Sequence, residues 1–217
     1  MEFTDEDLER FVRGLIVPGF RTLPEVLETV EEWAGDEGVP VVWARAVAYE
    51  TWQERLAEQR EWSTPGDYDR LVRAFAELES QGFLARMNFA CCTKCATTEI
   101  AAERTADPNP KDWYHYREWA YVFFHEQDTD RLGGDHPQLF LGYSAFRALP
   151  DTPDTLLAAA KAGDETATRA IFARTEQEAG RRVTNTLARH GLDALWSGDP
   201  ADRISLRIRD WRKPLPE

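Results

Sequence analysis

Three cysteines lie within five residues of one another in this sequence, at Cys91, Cys92 and Cys95. The C-x-x-C spacing of Cys92 and Cys95 suits a redox pair, a nucleophile or two ligands of one metal ion. Residues 96–104 favour a helix, so the spacing predicts the thiols at a helix N-terminus. Unpaired N–H groups there stabilise a thiolate and lower its pKa.

Several interpretations of this cluster stay open at the level of sequence. Free cysteine is among the most buried residue types, so the three thiols can also pack as small apolar groups. A zinc site needs a further ligand, for which His125 or His115 is available. A thioredoxin-type enzyme is not favoured, because its motif comes early in a βαβ unit and here four predicted helices precede the first strand.

A second candidate group ends the predicted strand at 121–128. Alternation places His125 on one face with Tyr121 and Phe123, and Asp128 on the other. His125 is a candidate base or ligand, although a strand end that simply enters solvent would look the same. The candidate catalytic residues are Cys92, Cys95, His125 and Asp128. The candidate metal ligands are Cys91, Cys92, Cys95 and His125.

Several enzyme classes lack support in this chain. It contains no G-x-S-x-G, P-loop, G-x-G-x-x-G or H-E-x-x-H motif, which sets aside serine hydrolases, P-loop and dinucleotide folds, and zincins. A zinc nucleobase deaminase has H-x-E before its P-C-x-x-C, whereas all four histidines here follow the cysteines.

The net charge of the chain indicates which kinds of molecule it is not expected to bind. The chain of 217 residues has 26 Lys and Arg against 39 Asp and Glu, a formal net charge of -13. Such a field repels phosphate backbones and anionic lipid, so neither nucleic acid nor a membrane is expected as a partner. No stretch approaches the roughly 18 apolar residues of a membrane helix, and the N-terminus is acidic. Together with the clustered cysteines, this predicts a reduced, cytoplasmic location.

The elements that must position these residues fall into two parts. Apolar spacing and capping residues predict four helices before residue 82, among them one that Thr4 caps and one that Thr22 caps. Five short aromatic or β-branched runs follow. They are 83–90, 119–127, 138–146, 192–196 and 203–209.

These runs predict an α+β fold. We expect a helical N-terminal layer packed on a four- to five-stranded, mainly antiparallel sheet, with the turn at 131–137 as a hairpin connection. The Ala- and Arg-rich stretch 154–190 predicts a further helix before the last two strands, split near Gly163. A single domain over residues 1–217 is expected, mainly helical over 1–81 and sheet-containing over 82–217.

Aromatic residues are dense between Trp113 and Trp119. Five of seven residues there are aromatic or histidine, which is too many for a single buried stripe. Some of them are expected to be exposed, as a binding surface or the wall of a cleft.

A set of motifs runs through most of the chain from about Asp67 onward. They are Asp69-Arg70-Leu71, Asn88-Phe89, Cys91-Cys92-x-x-Cys95, Tyr121-Val122-Phe123-Phe124-His125-x-Gln127-Asp128-Thr129 and Trp196-x-Gly198. With these motifs the sequence resembles a bacterial family of uncharacterised domains, and the resemblance implies a shared fold and site without naming a reaction. The family tends to have Gly after its last cysteine, where this chain has Ala96, which weakens the case for a tight turn there.

Two functions from different classes follow. The first is a binding or regulatory module with a protein or small-molecule partner and no cofactor, since no catalytic signature is complete. The alternative is an enzyme or metal-binding protein that uses the Cys91, Cys92 and Cys95 cluster with His125, zinc being the metal that such ligands would hold.

Overall fold

The computed structural model describes residues 4–110 and 113–217. Over this part of the chain it contains eight α-helices, two short 3₁₀ helices and five strands, which confirms the α+β class. The α-helices are α1 Asp5–Ile16, α2 Leu23–Glu37, α3 Val41–Glu61, α4 Asp67–Ser80, α5 Thr93–Glu99, α6 Glu126–Thr129, α7 Asp154–Lys161 and α8 Glu165–Arg189. The strands are β1 Phe83–Arg86, β2 Ala120–Phe123, β3 Gln138–Ala145, β4 Asp193–Leu195 and β5 Ile204–Arg207.

The chain forms two compact units. The first comprises residues 4–70, 127–139 and 208–217, and the second comprises the described parts of 71–126 and 140–207. None of the described helices is long and apolar enough to cross a membrane.

The first unit has a core made by α1, α2 and α3. Thr4 and Asp7 cap α1 reciprocally, since each side chain accepts the backbone N–H of the other residue. Gly38 ends α2 at a φ of 71°, in the left-handed region that glycine adopts without strain. The side chains that meet in this core include Leu8, Val12, Ile16, Val26, Val30, Ala44, Ala48 and Trp52.

The C-terminal tail belongs to this unit and has no regular secondary structure, as its prolines predict. The buried carboxylate of Asp67 accepts the backbone N–H groups of Arg209 at 2.7 Å and Asp210 at 3.0 Å. Arg55 donates to the carbonyl oxygen of Trp211 at 2.8 Å. The tail is therefore held by buried polar contacts, which fix its course without a helix or a strand.

The five strands form one sheet in the order β1-β2-β3-β5-β4. Strands β2 and β3 are antiparallel, as are β4 and β5, whereas β1 and β2 are parallel. The sheet is therefore mixed. The parallel pair is possible because α5 and a long loop separate β1 from β2 in the chain.

The predicted antiparallel pairing of the second and third runs is confirmed by β2 and β3, but the residues that connect them do not form a simple turn at 131–137. The chain between β2 and β3 forms α6 and a 3₁₀ helix, Asp130–Gly133, so β2 ends at Phe123 and not at Gln127. The predicted split of the later helix is confirmed, because α7 ends at Lys161 and Asp164 caps α8.

Candidate metal centre

The cysteines follow β1 in a loop with two unusual backbone conformations. β1 is buried from Phe83 to Ala85, which anchors the entry to the loop. Asn88 has a φ of 50° and Ala90 has a φ of 59°. Asn tolerates this left-handed region, but for Ala it costs about 1–2 kcal/mol. The surrounding contacts must therefore hold the loop in place.

Backbone hydrogen bonds to the segment after β2 supply those contacts. The N–H of Phe89 donates to the carbonyl oxygen of Phe124 at 2.9 Å, and the N–H of Glu126 donates to that of Ala90 at 3.1 Å. The loop that leads to Cys91 is thus held to the chain around His125 directly after Asn88 and at Ala90 itself.

Helix α5 begins immediately after this loop. Cys92 is its N-cap residue, and the carbonyl oxygen of Cys92 accepts the first helical hydrogen bond from Ala96 at 3.0 Å. Ala96 and Ile100 are fully buried and pack with Leu84 and Phe123. Ala96 therefore lies inside a helix that faces the sheet, which explains why no glycine is needed at this position.

The three cysteines converge at the start of α5. Their Sγ atoms all lie within 4.8 Å of one another, and all three are free thiols. Cys91 is exposed, and Cys92 and Cys95 are half-buried. The interpretation of the cysteines as small apolar core residues is therefore wrong: the loop brings the thiols together at the protein surface.

Cys92 and Cys95 differ in how readily they lose a proton. Hydrogen bonds to the sulfur of Cys92 lower the pKa of Cys92 below its ordinary value. The largest contribution comes from the backbone N–H of Cys95, and smaller ones come from the thiols of Cys95 and Cys91. Hydrogen bonds to the sulfurs of Cys91 and Cys92, and the charge of those sulfurs, raise the pKa of Cys95 to about 12. Cys92 therefore forms a thiolate more readily than Cys95, which retains its proton.

His125 lies next to this cluster through Thr93. Its Nε2 atom is 2.8 Å from Oγ1 of Thr93, the first residue of α5. The imidazole is buried, with 4% of its surface exposed, so the interpretation of His125 as a residue that enters solvent at a strand end does not hold. Among the described residues, the ligand atoms that lie within reach of one ion are the three sulfurs.

Neither of the remaining candidates, Asp128 and His115, supplies a ligand atom to the group of three sulfurs. Asp128 is buried on α6 and belongs to the first unit, while the cysteines belong to the second. His115 is exposed in the loop before β2, and its carbonyl oxygen accepts the N–H of Asp107 at 2.9 Å. The structure brings together Cys91, Cys92 and Cys95, with His125 one side chain away.

Thr93 is the site residue that sequence reasoning missed. A threonine after a cysteine pair carries no signal of its own, because its importance depends on a histidine 32 residues later in the chain. Asn88 was recognisable, since Asn is favoured where φ is positive. Ala90 was not, because alanine has no such preference.

The fold and the site together define an α+β protein with a three-cysteine cluster at its surface. The chain belongs to the family described as a domain of unknown function (DUF6891), whose model matches residues 2–215. No curated protein and no solved structure matches the chain.

Proposed function

We propose that this protein binds a thiophilic metal ion, such as zinc, through Cys91, Cys92 and Cys95. The observation that carries the proposal is the convergence of the three Sγ atoms within 4.8 Å. Zn–S bonds of about 2.3 Å at tetrahedral angles put sulfurs roughly 3.8 Å apart. Small side-chain rotations therefore suffice to bring the cluster to a metal.

The chemistry of the donor set supports a soft or borderline ion. Thiolates favour zinc and copper(I) over magnesium and calcium, which take oxygen ligands. Cys92 has a lowered pKa and is available as a thiolate ligand more readily than Cys95, which must release its proton to the solvent on binding. Because Cys91 is exposed, a fourth position can be occupied by water or by an external ligand.

His125 has a positioning role in this proposal. Its hydrogen bond with Thr93 holds the first residue of α5, directly after Cys92. Groups that orient metal ligands typically change affinity by about 10–100-fold when removed. The hydrogen bonds that stabilise the Cys92 thiolate come from backbone N–H and thiol groups, an arrangement that favours a ligand over a nucleophile activated by a base.

A cobalt(II) titration tests the proposal. Cobalt(II) takes zinc-type ligands and gives sulfur-to-metal charge-transfer absorption when thiolates bind. We expect this absorption to saturate at one equivalent in the reduced protein. Single substitutions Cys91→Ser, Cys92→Ser and Cys95→Ser should each weaken binding by roughly a hundredfold or more, since each removes a direct ligand.

Two further variants complete this titration, one as a control and one as a test of the positioning role of His125. Thr98→Ala alters an exposed residue on α5 and should leave the spectrum and the affinity unchanged. His125→Gln should weaken binding by about tenfold while the charge-transfer band keeps its position. Absence of the band in the reduced protein, or its persistence in the serine variants, would contradict the proposal.

A second candidate function is thiol–disulfide exchange by Cys92 and Cys95. It is favoured by the hydrogen bond between their sulfurs and the lowered pKa of Cys92. With oxidised glutathione as the oxidant, the Cys92 thiolate attacks one glutathione sulfur and releases glutathione thiolate. Deprotonated Cys95 then attacks the mixed disulfide and releases the second glutathione.

Mass spectrometry separates the two functions. The exchange function requires loss of two hydrogens, with an internal disulfide, after incubation with excess oxidised glutathione. The metal-binding function requires that stoichiometric zinc suppress that change. In either function, a reducing compartment such as the cytoplasm keeps the three thiols available for use.

A further inference from the structure

The second unit contains a cavity that includes none of the three cysteines. Its volume is about 270 Å³, and its walls come from α7, α8 and the end of β3 with the residues after it. Most of the lining is apolar. Ligand pockets for drug-sized molecules are typically about 300–1,000 Å³, so this cavity suits a smaller ligand and not a helix or a long peptide.

Two exposed aromatic residues flank the cavity. Trp113 is 68% exposed and Phe172 is 60% exposed, although large aromatic side chains are ordinarily buried for most of their surface. Both line the same cavity, as does Ile171. Exposed rings at the wall of an apolar cavity favour a planar aromatic ligand, since stacked or edge-on ring pairs are stabilising.

The polar groups of the cavity limit the charge of that ligand. Arg147 also lines the cavity, and its Cζ atom is 4.9 Å from the ring centroid of Tyr114 and 6.0 Å from that of Trp113. Oε1 of Glu176 accepts the hydroxyl of Ser144 at 2.9 Å, and a carboxylate has further acceptor capacity at its second oxygen. Glu176 therefore selects a hydrogen-bond donor and disfavours an anion.

We propose that this cavity binds a small, uncharged aromatic molecule with one N–H or O–H donor, in the class of indoles and phenols. The ring packs against Trp113, Phe172 and Ile171, and the donor bonds to Glu176. The overall charge of -13 acts in the same direction, because it weakens the binding of anionic analogues.

Calorimetric titration of the full chain with indole tests the proposal, with indole-3-acetate as the anionic analogue. We expect saturable binding of indole that is roughly tenfold weaker in Phe172→Ser, the value of one lost ring contact. Ala160→Phe should abolish binding, because Ala160 lines the cavity and a phenyl ring there fills it. Tyr49→Ser removes an exposed aromatic residue of α3 and should leave binding unchanged.

Thermal unfolding of each variant establishes that it is folded before titration. Phe172 is largely exposed, so Phe172→Ser keeps the test valid even where Ala160→Phe perturbs the fold. The proposal is overturned if indole gives no saturable binding, if Ala160→Phe binds it as the native chain does, or if indole-3-acetate binds more tightly than indole.

Discussion

The protons of the cysteine cluster decide how its affinity for metal depends on pH. Cys95 has a pKa raised to about 12 by the neighbouring sulfurs, so it is protonated in the free protein at neutral pH. A metal ion binds the thiolate, and binding therefore releases this proton. The proton on Cys95 therefore competes with the metal ion for the sulfur of Cys95.

We predict that zinc affinity rises with pH. Release of the Cys95 proton contributes about tenfold per pH unit throughout the neutral range, because the free thiol remains protonated there. Competition against a chromophoric chelator at several pH values measures this slope, after correction for protonation of the chelator. A pH-independent affinity would mean that no thiol proton is displaced.

Ala90 is strained in a way that can be measured. Its φ of 59° is in a region that glycine adopts freely and that is an outlier for β-branched residues. We predict that Ala90→Val lowers the free energy of unfolding by about 1–3 kcal/mol, whereas Ala90→Gly changes it by less than about 1 kcal/mol in either direction. Urea denaturation gives both values.

Equal destabilisation by Val and Gly would contradict this explanation, since it would show that the methyl group of Ala90, and not its backbone conformation, matters. At the scale of single residues, the sequence predicted that the three thiols form a cluster, which the structure confirms, but it left the exposure of the thiols open. The exposure of the thiols depends on the path of the 87–90 loop, and that path depends on hydrogen bonds to Phe124 and Glu126.

Helix α8 illustrates how local capping fixes an element. Asp164 precedes it, and its Oδ1 atom accepts the N–H groups of Thr166 at 2.8 Å and Ala167 at 3.1 Å. These bonds satisfy two of the four N–H groups that a helix start leaves unpaired. The break between α7 and α8 therefore has a chemical cause in the sequence.

We predict that Asp164→Ala lowers the free energy of unfolding by about 1 kcal/mol, while Asp164→Asn, which retains the capping oxygen, loses less than half of that. Chemical denaturation followed by circular dichroism measures the difference. A loss of equal size in both variants would indicate that the negative charge of Asp164 matters and the capping bonds do not.

The helices α1 to α4, α7 and α8 could be predicted from the sequence, because capping residues, helix breakers or apolar periodicity mark them. The end of β2 could not. The aromatic alternation from Tyr121 favoured a longer strand, but the chain turns after Phe123 and forms α6. The His125 ring is consequently buried beside Thr93, a contact that strand periodicity cannot reveal.

On the scale of the molecule, one buried carboxylate joins distant parts of the chain within the first unit. Asp67 is 3% exposed and accepts two backbone N–H groups of the C-terminal tail, more than 140 residues away. Arg70 also donates to it at 3.1 Å. The tail has no helical or strand pattern, so its attachment to Asp67 could not be predicted from periodicity. The attachment depends on contacts of the Asp67 side chain.

We predict that Asp67→Ala lowers the free energy of unfolding by about 2–3 kcal/mol, because it leaves buried N–H groups of the tail without an acceptor. Asp36→Ala is the matched control, since Asp36 is exposed on α2 and should change stability by less than about 0.5 kcal/mol. Similar losses in the two variants would contradict the assigned role of Asp67.

The metal content of the protein tests the central claim most directly. The reduced protein is dialysed against buffered zinc, and bound zinc is measured by elemental analysis beside the Cys91→Ser/Cys92→Ser/Cys95→Ser triple variant. Our account predicts one zinc per chain in the native protein and none in the triple variant. Equal zinc in the two proteins, or none in either, would contradict it.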